Sequence, residues 1–127
     1  MTTPLPLDGQ RDAIVTAITV AYTHPVHKYP SEGKISPPCV VVGKPTIAFD
    51  TPSVGLVMWD INIYETRSDQ GASTKSLESA LQAILLELRK GANCNLVLQN
   101  VFPLDADLSG IGVPAYTINA TSTLSNC

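Results

Sequence analysis

His24 and His27 form a His-x-x-His pair, one of few places in the chain where side chains of metal-binding type stand close together. Two imidazoles at that spacing share a metal ion when the backbone between them is helical. Pro25 lies between them, and no carboxylate or cysteine follows closely to complete a ligand set. They read as solvated loop histidines. Asp105-Ala106-Asp107 offers two carboxylates to a cation such as Ca²⁺, but the glycine and terminal glutamate of a calcium loop are missing. The same acids could divide general acid and base roles, yet no histidine or nucleophile follows them. Turn chemistry is the simpler reading. Gly110-Ile111-Gly112-Val113-Pro114 has the glycines of a phosphate loop without its setting, because a strand and not a helix follows. Cys39 enters an apolar strand and reads as a small buried hydrophobe. Trp59 stands beside Ile61 and Ile63 and reads as core, with an interface anchor as the functional option. No Gly-x-Ser-x-Gly elbow and no zinc signature occurs. The expectation is a protein without catalytic residues, metal or cofactor.

Composition points the same way. The apolar share of 44% is ordinary, but only 15% of the residues are charged, against about 25% in an average soluble domain. A chain of 127 residues is expected to form one domain, 1–127, burying about two thirds of its unfolded surface. So few charges suggest that something else covers part of that surface. The net charge is −3, and Arg11, Lys28, Lys34, Lys44, Arg67, Lys75, Arg89 and Lys90 are scattered, which argues against nucleic acid as a main partner of the monomer. Cys39, Cys94 and Cys127 are odd in number and widely spaced, which suits a reducing compartment. The opening residues, Met1 to Asp8, hold no basic region and no long apolar run, so no signal peptide is expected. No stretch approaches the ~20 apolar residues of a membrane span. Asn119-Ala120-Thr121 is therefore strand sequence and not a glycosylation site.

The elements that would position these residues follow from periodicity. Asp8 is an N-cap for a helix to about Tyr22, with Ile14, Val15, Ile18, Ala21 and Tyr22 inward and Gln10, Asp12, Thr16 and Thr19 outward. His24 to Pro38 holds Pro25, Pro30, Gly33, Pro37 and Pro38, and is expected to be a long loop without regular structure. Cys39–Val42 is a strand, interrupted at Gly43-Lys44-Pro45 and resumed over Thr46–Asp50. Leu56–Thr66 is the clearest strand: Trp59, Ile61 and Ile63 face one way, Met58, Asp60, Asn62 and Tyr64 the other. These two form a hairpin across Pro52. After a polar loop, Ser73 or Thr74 caps a second helix to about Lys90, with a stripe of Leu77, Ala80, Leu81, Ile84, Leu85 and Leu88 and with Gly91 as its C-terminal stop. Asn95–Pro103 and Val113–Leu124 are strands, joined by a connection over Leu104–Gly112. The predicted fold is α+β: an antiparallel or mixed sheet of four to five strands with two helices packed on one face. The outer row of the last strand is Thr and Asn without charge, and Leu56–Thr66 shows only Asp60 and Glu65. Such surfaces and edges pair with other chains.

The opening helix around Asp8-Gly9-Gln10-Arg11-Asp12-Ala13-Ile14-Val15, the proline-rich loop leading to Pro37-Pro38-Cys39-Val40-Val41-Val42, the Trp/Ile strand, the Leu-rich helix and the two closing strands together resemble the tail terminator and related neck proteins of long-tailed, non-contractile bacteriophages. The resemblance spans nearly the whole chain and lies in element order and composition. It implies a virion protein, present in the host cytoplasm during assembly. Such a protein forms a hexameric ring on the last ring of the tail tube, stops tube growth and offers a joining surface to the head. Its partners would be further copies of itself, the tail tube protein and a head–tail connector protein, with no cofactor, no reaction and no membrane. Contact regions are expected in the loop from His24 to Pro38, at His27, Tyr29 and Lys34, and in the loop from Glu65 to Ala72, at Arg67, Asp69 and Gln70. Two rivals differ from this reading: another head-completion, connector or tube subunit, or a small α+β enzyme or ligand-binding domain.

Overall fold

The structure is a computed structural model that describes residues 7–29, 38–51, 54–65, 70–90, 96–108 and 111–125. It is an α+β fold. Helix α1 (Leu7–Ala21) is followed by strands β1 (Val26–His27), β2 (Cys39–Val42), β3 (Thr46–Thr51) and β4 (Val54–Tyr64). Helix α2 (Gln70–Leu88) and strands β5 (Val97–Leu108) and β6 (Ile111–Ser125) complete it. The sheet order is β1-β2-β4-β6-β5, with β3 also on β4.

The alternation along β4 decides which face is covered. Val57, Trp59, Ile61 and Ile63 are buried, and the residues between them turn to the opposite face. The full-length antiparallel register with β6, from Val54↔Ser125 to Tyr64↔Ala115, brings Ile118 and Ala120 onto the same side. Ile14 and Ile18 of α1 and Leu77, Ile84 and Leu88 of α2 pack there, so both helices lie on one face. Each fully buried Ile or Leu contributes about 1.5–3 kcal/mol by leaving water.

β2 and β3 are separate strands in line with one another, and the interruption between them opposes β4 as a bulge does. Both run antiparallel along the same edge of β4, with Val42↔Ile61 before the interruption and Thr46↔Met58 after it. Gly43, Lys44 and Pro45 thus stand opposite Trp59 and Asp60 alone, one residue more than the partner. Gly43 N–H keeps the ladder going by donating to Asp60 O at 2.8 Å, and a Cβ at Gly43 would sit 3.1 Å from that oxygen. The expected hairpin is present: β3 and β4 pair to Thr51↔Val54. Gly55 lets Phe49 cross close over β4, where a Cβ would meet the ring at 3.0 Å.

Several expectations need correction. The proline-rich segment is not free of regular structure, since β1 pairs parallel with β2 through Val26↔Val40 and His27↔Val41. Proline lacks a donor but keeps its carbonyl, and Pro25 O accepts from Val40 N–H at 3.0 Å. With β1, and with β2 and β3 separate, the mixed sheet has six strands. The expected connection Leu104–Gly112 is mostly strand, paired through to Leu108↔Ile111. Backbone pairing supplied by β6 needs no apolar alternation to hold that stretch extended. Asp8 lies inside the first turn of α1 and not before it, where its carboxylate still meets the positive end of the helix dipole. Helix α2 starts at Gln70, so Ser73 and Thr74 are helical residues and not caps. Gly71 costs about 1 kcal/mol there but does not forbid helical dihedrals. The helix ends at Leu88, and Arg89 and Lys90 N–H close its last turn on Leu85 O (2.9 Å) and Glu87 O (3.2 Å). Gly91 lies outside the described residues.

Candidate functional site

Gln10 and Arg11, adjacent on α1, tie the helix to the sheet and to the segment after it. Gln10 was expected on the solvent side and is fully buried. Its Nε2 donates to Thr123 O at 3.0 Å, and its Oε1 accepts from Ser122 Oγ and from Trp59 Nε1 at 3.4 Å. Trp59 Nε1 also donates to Ser122 Oγ at 3.1 Å. An amide with its hydrogen bonds made can be buried where an unsatisfied one cannot. Arg11 is buried as well, and Nη1 donates to Lys28 O at 2.6 Å and Val42 O at 3.0 Å. Its guanidinium carbon lies 4.8 Å from the Tyr29 ring centroid and 5.1 Å from that of Trp59. Asp12 and Lys28 add an ion pair at 2.5 Å, and the hydrogen bond to Asp12 raises the Lys28 ammonium above its ordinary range. The signal for these burials was in the spacing: Gln10, Ile14 and Ile18 recur every fourth residue, and Arg11 lies three before Ile14.

The residues singled out for chemistry do not converge. His24 packs edge-on against Tyr22, with ring centroids 5.4 Å apart. His27 is half-buried in β1. Tyr29 is exposed, under Arg11 and with Lys28 Nζ 5.4 Å from its ring. Asp105 and Asp107 sit in β5 opposite Pro114 and Gly112, a strand position and not the turn expected. Gly112 is likewise in β6, while Gly110 lies outside the described residues. Lys34, Arg67 and Asp69 also lie outside them, and Gln70 is the first residue of α2. Cys39 is fully buried, as expected of a small hydrophobe, and burial pushes its thiol up to about 11. Trp59 is core, at 0% exposure. Among the described residues, no group of three or more His, Cys, Asp or Glu is placed to hold a metal ion. Also among them, no helix is long and apolar enough to cross a membrane.

What the fold does assemble is a broad neutral surface, the sheet face opposite the helices. Register places Leu56, Met58, Asp60 and Asn62 of β4 there, beside Thr117, Asn119, Thr121 and Thr123 of β6. Val97, Asn100 and Phe102 of β5 continue it on one side and Thr46 and Ala48 of β3 on the other. Asp60 is the only charged group among the described side chains of this face, and it accepts from Asn119 Nδ2. Thr117 Oγ1 donates to Asn62 Oδ1 at 2.8 Å, and Gln99 Nε2 donates to Thr121 Oγ1 at 3.2 Å. The polar groups thus bond across strands, while Leu56, Met58, Val97 and Phe102 stay exposed among them. A depression of about 340 Å³ opens between Thr46, Met58, Gln99 and Thr121. A neutral surface with exposed apolar side chains suits protein contact. No protein-family model matches the chain, and the search of curated proteins returns no match.

Proposed function

We propose that this chain is a structural virion protein, a tail terminator that closes into a ring, caps a phage tail tube and presents a joining surface to the head. One observation carries the reading: the helix-free sheet face, formed by four strands and their hydrogen-bonded Thr and Asn rows, holds a single described charge, Asp60. An exposed face of that size with so little charge is a liability for a monomer and an asset for a subunit. A ring built head to tail needs two different surfaces on each subunit. The neutral sheet face and the helical side, where Val20 and Leu86 are exposed, supply unlike surfaces. The order of elements resembles that of tail terminators and neck proteins, and this resemblance supports the choice of assembly. Its neighbours are then further copies of the chain, the tail tube protein and a head–tail connector protein, and its work needs no cofactor.

Electron microscopy and sedimentation of the purified chain test the proposal. Closed sixfold rings as wide as a tail tube are the expected result. A monomer at high micromolar concentration, both alone and after addition of tail tubes, overturns it.

A further inference from the structure

The two helices meet water differently. α2 carries exposed Lys75 and Glu78, with Arg89 and Lys90 exposed at its end, as a solvated helix does. α1 has no Asp, Glu, Lys or Arg from Ala13 onward, and none follows it before Lys28. Its outward positions there are Thr16, Thr19 and Val20, with Thr23 just past its end, and all four are exposed. Val20 is 71% exposed. The Thr19 hydroxyl already donates to Val15 O at 2.7 Å, so that side chain asks little of water. All four residues are β-branched, a type that serves a wet helix face less well than Ala, Lys, Glu or Gln. Stiff side chains, however, lose little freedom when a second surface covers them. Missing charge and sacrificed propensity coincide on this one ridge.

We propose that the α1 ridge, Thr16 to Thr23, seats on the neutral sheet face of the next copy of the chain, a contact that rests on the ring reading and supplies its second subunit surface. Charge decides the occupant. Lys75, Glu78 or Arg89 of a neighbouring α2 would be stripped of water with no opposite charge on the ridge to meet it. A second α1 ridge would pair about a twofold axis and stop at two copies. The sheet face opposite the helices brings one described charge, Asp60, and presents Leu56 and Met58 among bonded Thr and Asn rows. It also holds the depression of about 340 Å³ that Asp60 lines, a recess for the projecting Val20. Asp60 accepts from Asn119, and a carboxylate has room for a further hydrogen bond from a Thr16 or Thr23 hydroxyl. Ridge and recess lie on opposite sides of the sheet, so each copy can hold one neighbour by each, head to tail.

The test places p-benzoylphenylalanine at position 20 of the full chain, mixes it with an excess of the unaltered chain, irradiates the assembled protein and maps the cross-link by mass spectrometry. Joined chains with the second attachment in β4 or β6, at Leu56, Met58 or Thr121, are the expected result. Val20→Lys should weaken assembly roughly tenfold or more in sedimentation, because it buries a charge against a neutral face. Val20→Thr should weaken it by no more than about threefold. Both variants should unfold in urea as the unaltered chain does, since the side chain is exposed. Rings whose cross-links fall on α1 or α2 of the neighbour, or that tolerate Val20→Lys, overturn this contact and leave the ring reading standing. A chain that stays monomeric at high micromolar concentration, with and without tail tubes, overturns both.

Discussion

Ser122 Oγ donates a hydrogen bond to Gln10 Oε1 across 112 positions of sequence, and both groups are buried. The bond closes a triangle with the Trp59 indole and pins the first turns of α1 to the centre of the sheet. Gln10→Ala opens a cavity and leaves Thr123 O without its donor. It should cost about 2–3 kcal/mol. Ser122→Ala, which leaves Trp59 Nε1 bonded to Gln10 at 3.4 Å, should cost nearer 1 kcal/mol. Trp59 is the single tryptophan, so urea unfolding followed by its fluorescence reads both variants at the site itself.

Arg11 acts as a flat cation between two rings, and lysine is a poor replacement. Arg11→Lys keeps the charge but loses the guanidinium's contact with the Tyr29 and Trp59 rings and at least one of the two carbonyl contacts. A loss of roughly 1–3 kcal/mol is expected in denaturant unfolding. Amide exchange around Lys28 and Tyr29 should quicken more than in the β4–β6 ladder. Equal quickening in both regions would contradict a local tie.

Alkaline pH should weaken the fold through a buried thiol and two partly buried phenols. Burial raises the Cys39 thiol from 9.0 to about 11, so between these values the unfolded chain has lost this proton and the native chain keeps it. Stability is then full below pH 9 and falls as pH rises, by about 1.4 kcal/mol per pH unit for one such group. Tyr22, raised by burial and then by the charges of Glu65 and Cys39, and Tyr64, raised by burial, extend the fall above pH 10. Unfolding curves between pH 7 and 11 should show the decline, and Cys39→Ala should flatten its first part. A flat profile for the unaltered chain would contradict it.

Met58→Lys separates folding from assembly. Met58 is exposed on the neutral sheet face, where a lysine can reach water and lies near Asp60. The monomer should keep its stability within about 0.5 kcal/mol. Ring formation by sedimentation should be lost, because the charge would be buried against a neutral partner. Intact rings would remove this face from the contact.

Much of the fold was legible in the residues. The period of two along Leu56–Thr66 identified β4 and its covered face, and the 3.6-residue stripe from Leu77 to Leu88 identified α2, because burial on one side imprints its period directly. Trp59 was legible as core for the same reason, and Cys39 as a small hydrophobe entering an apolar run. Polarity read alone misplaced Gln10 and gave no sign of the burial of Arg11. Whether a polar side chain can be buried depends on partners that the chain brings from elsewhere, such as Ser122 or the Val42 carbonyl, 31 positions from Arg11. The pairing of Val26 and His27 with β2, and the strand through Asp105 and Asp107, were also decided only in three dimensions. A backbone hydrogen bond is made to whatever strand lies alongside, and it leaves no trace in side-chain type.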